Sequence, residues 1–311
     1  MFFIQDLFVS YYDYRPFRSA LLNKVIGNSS KILGFLGKSF LPWYFNLCPG
    51  TILEIEKRSL VIATMTSFPA RIGTLWIVME SLIRQKLQPK QVWLYLSERQ
   101  FPKHELPKSL KKYINCDFLK IIWVKEDYRS YKKFWYFIKD HPNESFITLD
   151  DDIIYQSNTI CLLVEGQVKY TGYVVACYCY RIKYNTDGSC KPYRTWDKQT
   201  KRGDAGNDIF FGSGGGTLFP VGSLNGSNAD YETIKHVCPS ADDIWLNAFV
   251  RYNGFKTVCV KNRRWSFVSV PIEYNTSLSS QNLGENLNDK QIKNIILFFK
   301  KKGFNPFIKS K

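Results

Sequence analysis

The chain has 311 residues, 45% of them apolar and 16% aromatic, and a formal net charge of +16. This is a globular composition, long enough for one large α/β domain with appendages or for two small domains, and it excludes a disordered or fibrous chain. Charges interrupt every apolar stretch well before the roughly 20 residues that span a bilayer, and Asp6 stands where a leader would be basic, so neither a membrane span nor a secretion signal is expected.

Residues 1–56 read as an appended, mainly helical segment. From Lys57 onward the pattern alternates as parallel β/α units do. A first strand is predicted at 60–64, followed by a helical stripe of Leu75, Val78, Met79, Leu82 and Ile83 that Pro89 stops. Further strands are predicted at 92–96 and 120–124, and a helix at 129–139 leads into the apolar run Phe146, Ile147, Thr148, Leu149. A helix at 157–170 and a strand at 173–180 follow. The polar, turn-rich stretch 183–208 reads as a long surface loop and a candidate lid. Next come a glycine cluster between apolar flanks (Gly212, Gly214, Gly215 and Gly216, then Pro220) and a helix that starts at Ser240, Ala241, Asp242, Asp243 and ends near Gly254. Residues 276–311 form a basic helical tail: the last 22 residues hold seven lysines and no acid.

Three adjacent carboxylates, Asp150, Asp151 and Asp152, follow the fourth strand directly. A short buried strand of a parallel sheet delivers its last residues to the carboxyl edge, where open α/β sheets bind ligands. Three negative charges there repel one another unless a cation is shared, and carboxylate oxygens suit hard divalent ions. Taken alone, the run also suits a solvated acidic turn. Asp242 and Asp243 likewise suit the first turn of a helix, where they complement its dipole. The glycine cluster lets backbone approach a ligand closely or marks a bulged strand, and it is no phosphate-cradling loop, since no GK[ST] follows. His104, His141 and His236 form no metal-ligand pattern.

The eight cysteines contain no CxxC pair, and Cys177 and Cys179 are expected on one face of a strand, which favours a reduced, cytoplasmic setting. Aromatic and basic residues mix near both ends, as in Phe2, Phe3, Phe8, Tyr11, Tyr12, Arg15 and Arg18, and in Phe298, Phe299, Lys300, Lys301, Phe304 and Phe307. That mixture suits peripheral contact with the anionic inner face of a membrane, and equally a core helix with a charged outer face. The same charge suits nucleic acid, but no recognition fold or finger spacing accompanies it, so nucleic acid is disfavoured.

Taken together, these residues resemble glycosyltransferases of the GT-A fold, especially bacterial surface-polysaccharide enzymes, over roughly residues 59–260. The resemblance rests on Ala63 to Pro69 and Arg71 after the first strand, on Ser130, Tyr131, Lys132 and Lys133, on the aspartate run, on the segment 214–220 and on Ala241, Asp242, Asp243. The glycine-rich strand with its DD-headed helix is also similar to exostosin-like transferases. The resemblance implies a Rossmann-like, mostly parallel sheet flanked by helices, with a donor-binding half at 57–182 and an acceptor-binding, catalytic half at 209–275. It implies a DxD motif in which Asp152 ligates Mn²⁺ or Mg²⁺ and Asp150 contacts the ribose or the metal's water, with Asp151 pointing elsewhere or assisting. Thr64, Thr66, Ser67, Arg71, Tyr131, Lys132 and Lys133 fall on the donor side; Gly214, Gly215, Gly216 and Trp245 on the acceptor side; Asp243 or Asp242 supplies the catalytic carboxylate. Trp245, and Trp196 in the candidate lid, suit stacking on sugar rings, although a buried tryptophan is the commoner finding. The implied activity is transfer of a sugar from a nucleotide sugar, a UDP sugar by preference, to a glycan or lipid-linked acceptor. Two other readings stand beside it. A sugar nucleotidyltransferase shares the sheet and the carboxylates but carries a glycine-rich basic loop where this chain has Met65, Thr66, Ser67, Phe68, Pro69. The other is a non-enzymatic glycan- or nucleic-acid-binding module.

Overall fold

The structure is a computed structural model that describes residues 4–8, 19–198, 200–261, 268–271 and 286–309. In chain order the strands are β1 (Ile62–Thr66), β2 (Val92–Ser97), β3 (Leu119–Val124), β4 (Phe146–Leu149), β5 (Ile153–Ile154), β6 (Tyr173–Ala176), β7 (Cys179–Arg181), β8 (Ala205–Gly206), β9 (Ile209–Phe211), β10 (Gly215–Phe219), β11 (Lys256–Cys259) and β12 (Val268–Ser269). The helices are α1 (Ala20–Leu47), α2 (Pro69–Ile72), α3 (Leu75–Ile83), α4 (Lys111–Asn115), α5 (Lys132–Asp140), α6 (Thr159–Lys169), α7 (Tyr231–Val237), α8 (Asp242–Tyr252) and α9 (Leu287–Lys300).

Eight strands form one sheet in the order β3-β2-β1-β4-β10-β6-β11-β8. Within it β1 to β4 run parallel, β10 is antiparallel to both neighbours, β6 and β11 are parallel, and β8 is an antiparallel edge. The mixed α/β class expected from the sequence is therefore the observed one. Alternation along the strands divides the core between the two faces, because successive side chains of a strand point to opposite sides. Val92, Leu94 and Leu96 join one buried cluster with Met65, Ile147 and the α3 residues Val78 and Leu82. Trp93 and Tyr95, from the same strand, join the other with Phe134, Phe137, Phe146 and Phe249.

The elements follow the predicted order, with shifts where side chains outside the local pattern decide the boundary. The first strand begins two residues late, because Ser59 and Leu60 precede the β1–β2 pairing that starts at Ala63 and Val92. The strand expected at 173–180 breaks after Ala176: β6 stays in the main sheet while β7 pairs with β9 in a separate two-stranded sheet. Cys177 and Cys179 consequently pack into different core clusters rather than on one face. The 183–208 stretch is tied down at several points. Bridges join Arg181 to Asp197 and Tyr184 to Cys190, β8 pairs with β11, and Trp196 is 3% exposed, its indole donating to the Lys191 carbonyl at 2.8 Å. Trp196 is thus a core residue, not a stacking surface.

Both ends of the described chain pack against the body of the protein. Asp6 accepts a 2.8 Å hydrogen bond from the Ser157 backbone N–H, and Gln5 donates to the Tyr155 carbonyl at 2.9 Å, which pins the 3₁₀ turn Ile4–Phe8 beneath the segment after β4. In α9, Ile292, Ile295 and Phe299 are buried with Phe307 beyond it, and the helix packs on α8. The aromatic residues expected to anchor the C-terminal end in a membrane are therefore partly core: Phe299 and Phe307 face inward, while Lys290, Lys293 and Lys300 stay exposed. Lys311 and the N-terminal residues Phe2, Phe3, Tyr11, Tyr12, Arg15 and Arg18 lie outside the described residues. Phe299→Ala should cost about 3–5 kcal/mol through the cavity it leaves, whereas Leu297→Ala, on the same helix but 61% exposed, should cost under about 0.5 kcal/mol. Chemical denaturation of the two variants checks this, and equal losses would contradict the docked helix.

Candidate active site

The site forms where β4 ends and the backbone turns. The Tyr155 hydroxyl, fully buried, accepts from the Asp150 N–H at 2.7 Å and donates to the Gly214 carbonyl at 2.6 Å, so the first aspartate is held against the start of β10. Gly214 has no alternative there: a Cβ would lie 1.6 Å from Asp150 Oδ2. The glycine is required by close approach of backbone to a carboxylate rather than by an unusual φ.

From that turn the three carboxylates diverge. Asp151 points back into the protein, accepting from Ser67 Oγ at 2.5 Å and from Arg71 Nη1 at 3.0 Å. Asp152 meets the same guanidinium nitrogen at 2.9 Å. Asp150 accepts from Lys133 Nζ at 2.9 Å. Lys133 is on α5 and 3% exposed along its side chain, and its ammonium also lies 2.9 Å from Asp242 Oδ2. The second acidic pair is fixed by the residue before Gly214: Ser213 N–H donates to Asp243 Oδ1 at 2.7 Å and Ser213 Oγ to Asp242 Oδ2 at 3.0 Å. Thr148 on β4 in turn donates to the Ser213 carbonyl at 2.8 Å.

Crowding shifts the titrations in the directions expected for buried charge. Burial, then the neighbouring Asp150, pushes Asp152 up to about 7 against the pull of Arg71. Burial, then Asp242, pushes Asp243 up to about 7 against the pull of Lys133. For Lys133, burial opposes the charge, but Asp150, Asp242 and Asp243 outweigh it and the ammonium is held above its ordinary range.

A cleft of about 620 Å³ opens over these groups, within the range of small-ligand sites. Of the residues expected on the donor side, Thr66, Ser67, Arg71, Lys132, Lys133, Asp150 and Asp151 line it. Lys132 is buried and ion-paired with Asp127. Thr64 and Tyr131 do not line it: Thr64 is fully buried and donates to the Ile147 carbonyl at 3.3 Å, and Tyr131 donates to the Cys238 carbonyl from within the core. On the expected acceptor side, Trp245 is fully buried, its indole donating to the Ser227 carbonyl at 2.8 Å, so it cannot stack on a sugar. Gly214, Gly215 and Gly216 are buried in or beside β10; Gly216 adopts φ +96°, where a side chain would be strained. Asp152, Asp242 and Asp243 line the cleft. Tyr178, Tyr180, Tyr193, Arg194 and Lys198 also line the cleft; the last three belong to the 183–208 stretch expected as a candidate lid, while the sequence pattern did not mark Tyr178 and Tyr180. Ser213 and Tyr155 are the other residues missed, and only proximity to the two acidic motifs could have marked them.

The donor set fits a hard divalent cation. Asp150 and Asp152 present partly exposed carboxylate oxygens, and the titration of Asp152 is raised first by burial and then by the neighbouring Asp150, a charge that a cation would relieve. Among the described residues no group of three or more His, Cys, Asp or Glu side chains could hold an ion alone. An ion here would take its remaining ligands from substrate oxygens and water, as Mg²⁺ commonly does.

No protein-family model matches the chain, and no curated protein matches it. Similar solved structures include a mannosyltransferase from Pyrobaculum calidifontis in complex with GDP-Man and Mn²⁺ (11% identity, 88% of this chain and 73% of that one, TM-score 0.46). They also include a 4-diphosphocytidyl-2C-methyl-D-erythritol synthase from Anaerococcus prevotii (14%, 75% and 98%, TM-score 0.43) and S. aureus TarS 1-349 (12%, 69% and 58%, TM-score 0.41).

The raised Asp243 carries a definite stability signature. Its folded pKa of about 7 lies above the value of an unfolded aspartate, so the native state binds the extra proton and stability falls as pH rises through that window. Asp243→Asn removes the titration but keeps an oxygen for the Ser213 N–H. The variant should gain stability relative to the parent as pH is raised from about 5 to about 8, read from denaturant midpoints; a pH-independent difference would contradict the assignment.

Proposed function

We propose that the protein is a metal-dependent glycosyltransferase that moves a sugar from a nucleotide sugar, by preference a UDP sugar, to a hydroxyl of a glycan or lipid-linked acceptor. The observation that carries this reading is the Lys133 ammonium shared between Asp150 and Asp242. It joins the aspartate run and a second, separate carboxylate pair in one cleft, which supports a group transfer with a distinct proton acceptor.

In this reading Asp150 and Asp152 would hold Mg²⁺ or Mn²⁺, which supplies charge neutralisation to a departing nucleoside diphosphate. Arg71 fixes Asp151 and Asp152 from behind, so the carboxylates keep their orientation when a ligand enters. Lys133 offers a second positive charge beside the leaving oxygens. Of the acidic pair, Asp242 is committed to Lys133 and Ser213 Oγ, whereas Asp243 has its titration near neutrality, where a general base works best. The acceptor oxygen loses its proton to Asp243 as it bonds to the anomeric carbon, and the carbon–oxygen bond to the diphosphate breaks with its electron pair on the leaving group. Such a single displacement inverts the anomeric centre. Tyr178, Tyr180 and Tyr193 offer aromatic faces of the kind sugars pack on.

A thermal-shift panel of nucleotide sugars with and without Mn²⁺ tests the reading, since a ligand that binds only the native state raises apparent stability. One nucleotide sugar should stabilise the protein only with the metal. Asp152→Asn and Gly214→Ala, the latter by displacing the Asp150 carboxylate, should abolish that response; Asp243→Asn should keep it and lose about 10²–10⁴-fold in turnover. Pyrophosphate release from a nucleoside triphosphate and a sugar phosphate would instead make the protein a nucleotidyltransferase.

A further inference from the structure

Helix α1 carries an apolar face that no other described part of the chain covers. Its inner side is used: Leu41 and Phe45 are buried in the core, and Gly37 packs so closely on Phe8 that a Cβ would come within 2.6 Å. On the opposite side Leu21, Val25, Ile32, Phe35, Leu36 and Trp43 are each between 50% and 72% exposed. At 3.6 residues per turn these six fall within an arc of about 100° and extend ~33 Å along the axis. An apolar stripe of that length on a protein surface, broken in sequence only by Asn28 and Ser39, marks a contact, not chance exposure.

Charge decides what makes the contact. The 28 residues of α1 contain no Asp or Glu, its three charged residues are all lysines seven positions apart in the sequence, and Lys38 is exposed. A second copy of so basic a helix would bring like charge against like charge. An anionic bilayer supplies what both features lack: apolar depth for the stripe and phosphates for the lysines. The net charge of +16 adds long-range attraction to such a surface. No helix among the described residues is long and apolar enough to cross a membrane, so the contact is one of lying on the surface.

We propose that α1 lies in the plane of an anionic membrane with Leu21, Val25, Ile32, Phe35, Leu36 and Trp43 inserted at the headgroup boundary and its lysines against lipid phosphates. The membrane contact thereby belongs to the N-terminal helix, not to α9, whose aromatic residues are partly used by the core. This does not depend on the catalytic reading.

Flotation of the 311-residue chain with phosphatidylcholine–phosphatidylglycerol vesicles and with phosphatidylcholine vesicles tests it. The parent should float with the mixed vesicles and not with the neutral ones. Phe35→Asp combined with Trp43→Asp should weaken binding at least about tenfold at an unchanged melting temperature, and Lys38→Ala about fivefold, while Leu297→Asp on α9 should bind like the parent. Should the double variant fail to fold, Lys38→Ala and flotation of the parent at rising salt concentration read the same contact, and binding that ignored both would overturn the proposal. It is equally overturned if the parent floats with neither vesicle or with both alike, or if the double variant binds undiminished. A parent that sediments as a dimer and becomes a monomer in the double variant would assign the stripe to self-association instead.

Discussion

The buried ammonium of Lys133 is the contact on which the site depends. Two carboxylates from segments 92 residues apart, Asp150 and Asp242, each come within 2.9 Å of it, and neither acidic motif would tolerate the other's proximity without a cation between them. A charge so placed is strongly destabilising to remove, because the carboxylates it compensates remain where they are. The amphipathic helix that carries Lys133 is held by Phe134 and Phe137 on the aromatic face of the core, so packing that has nothing to do with chemistry decides where the charge sits.

The sheet order explains how the two motifs meet. β10 runs antiparallel between β4 and β6. Its start therefore lies beside the end of β4, so the residues just before β10 and just after β4 share one corner. Ser213 and Gly214 occupy that corner, one hydrogen-bonded to Asp242 and Asp243, the other seated against Asp150. A wholly parallel sheet would have put the two ends on opposite edges.

Much of this was legible in the chain itself. Short apolar runs broken by turn residues gave β1 to β4 nearly in place, since each run reports burial on both faces of a sheet. The aspartate run and the DD-headed helix stood out because carboxylates are rarely clustered without a reason. What could not be read was the direction of β10: five residues of Gly, Thr, Leu and Phe look alike whichever way the strand runs. The acceptor-side expectation failed for the same kind of reason. Trp245 follows the acidic pair by only two residues, yet a helix turns through about 200° in that distance, so Asp243 faces the cleft and Trp245 the core. Tyr178 and Tyr180 were hidden because they stand at β7, which leaves the main sheet to pair with β9, and no local periodicity records that pairing.

The internal counterions of the acidic site set the order in which it fills. In many small metal-binding domains the ion is the keystone of folding, so chelation unfolds them. Here Arg71 and Lys133 already stand against Asp150, Asp151 and Asp152. The polypeptide can complete its fold with its own cations in place; on the proposed function, a divalent ion would enter afterwards together with an anionic ligand, and its occupancy would follow the concentration of that ligand more than the free metal level.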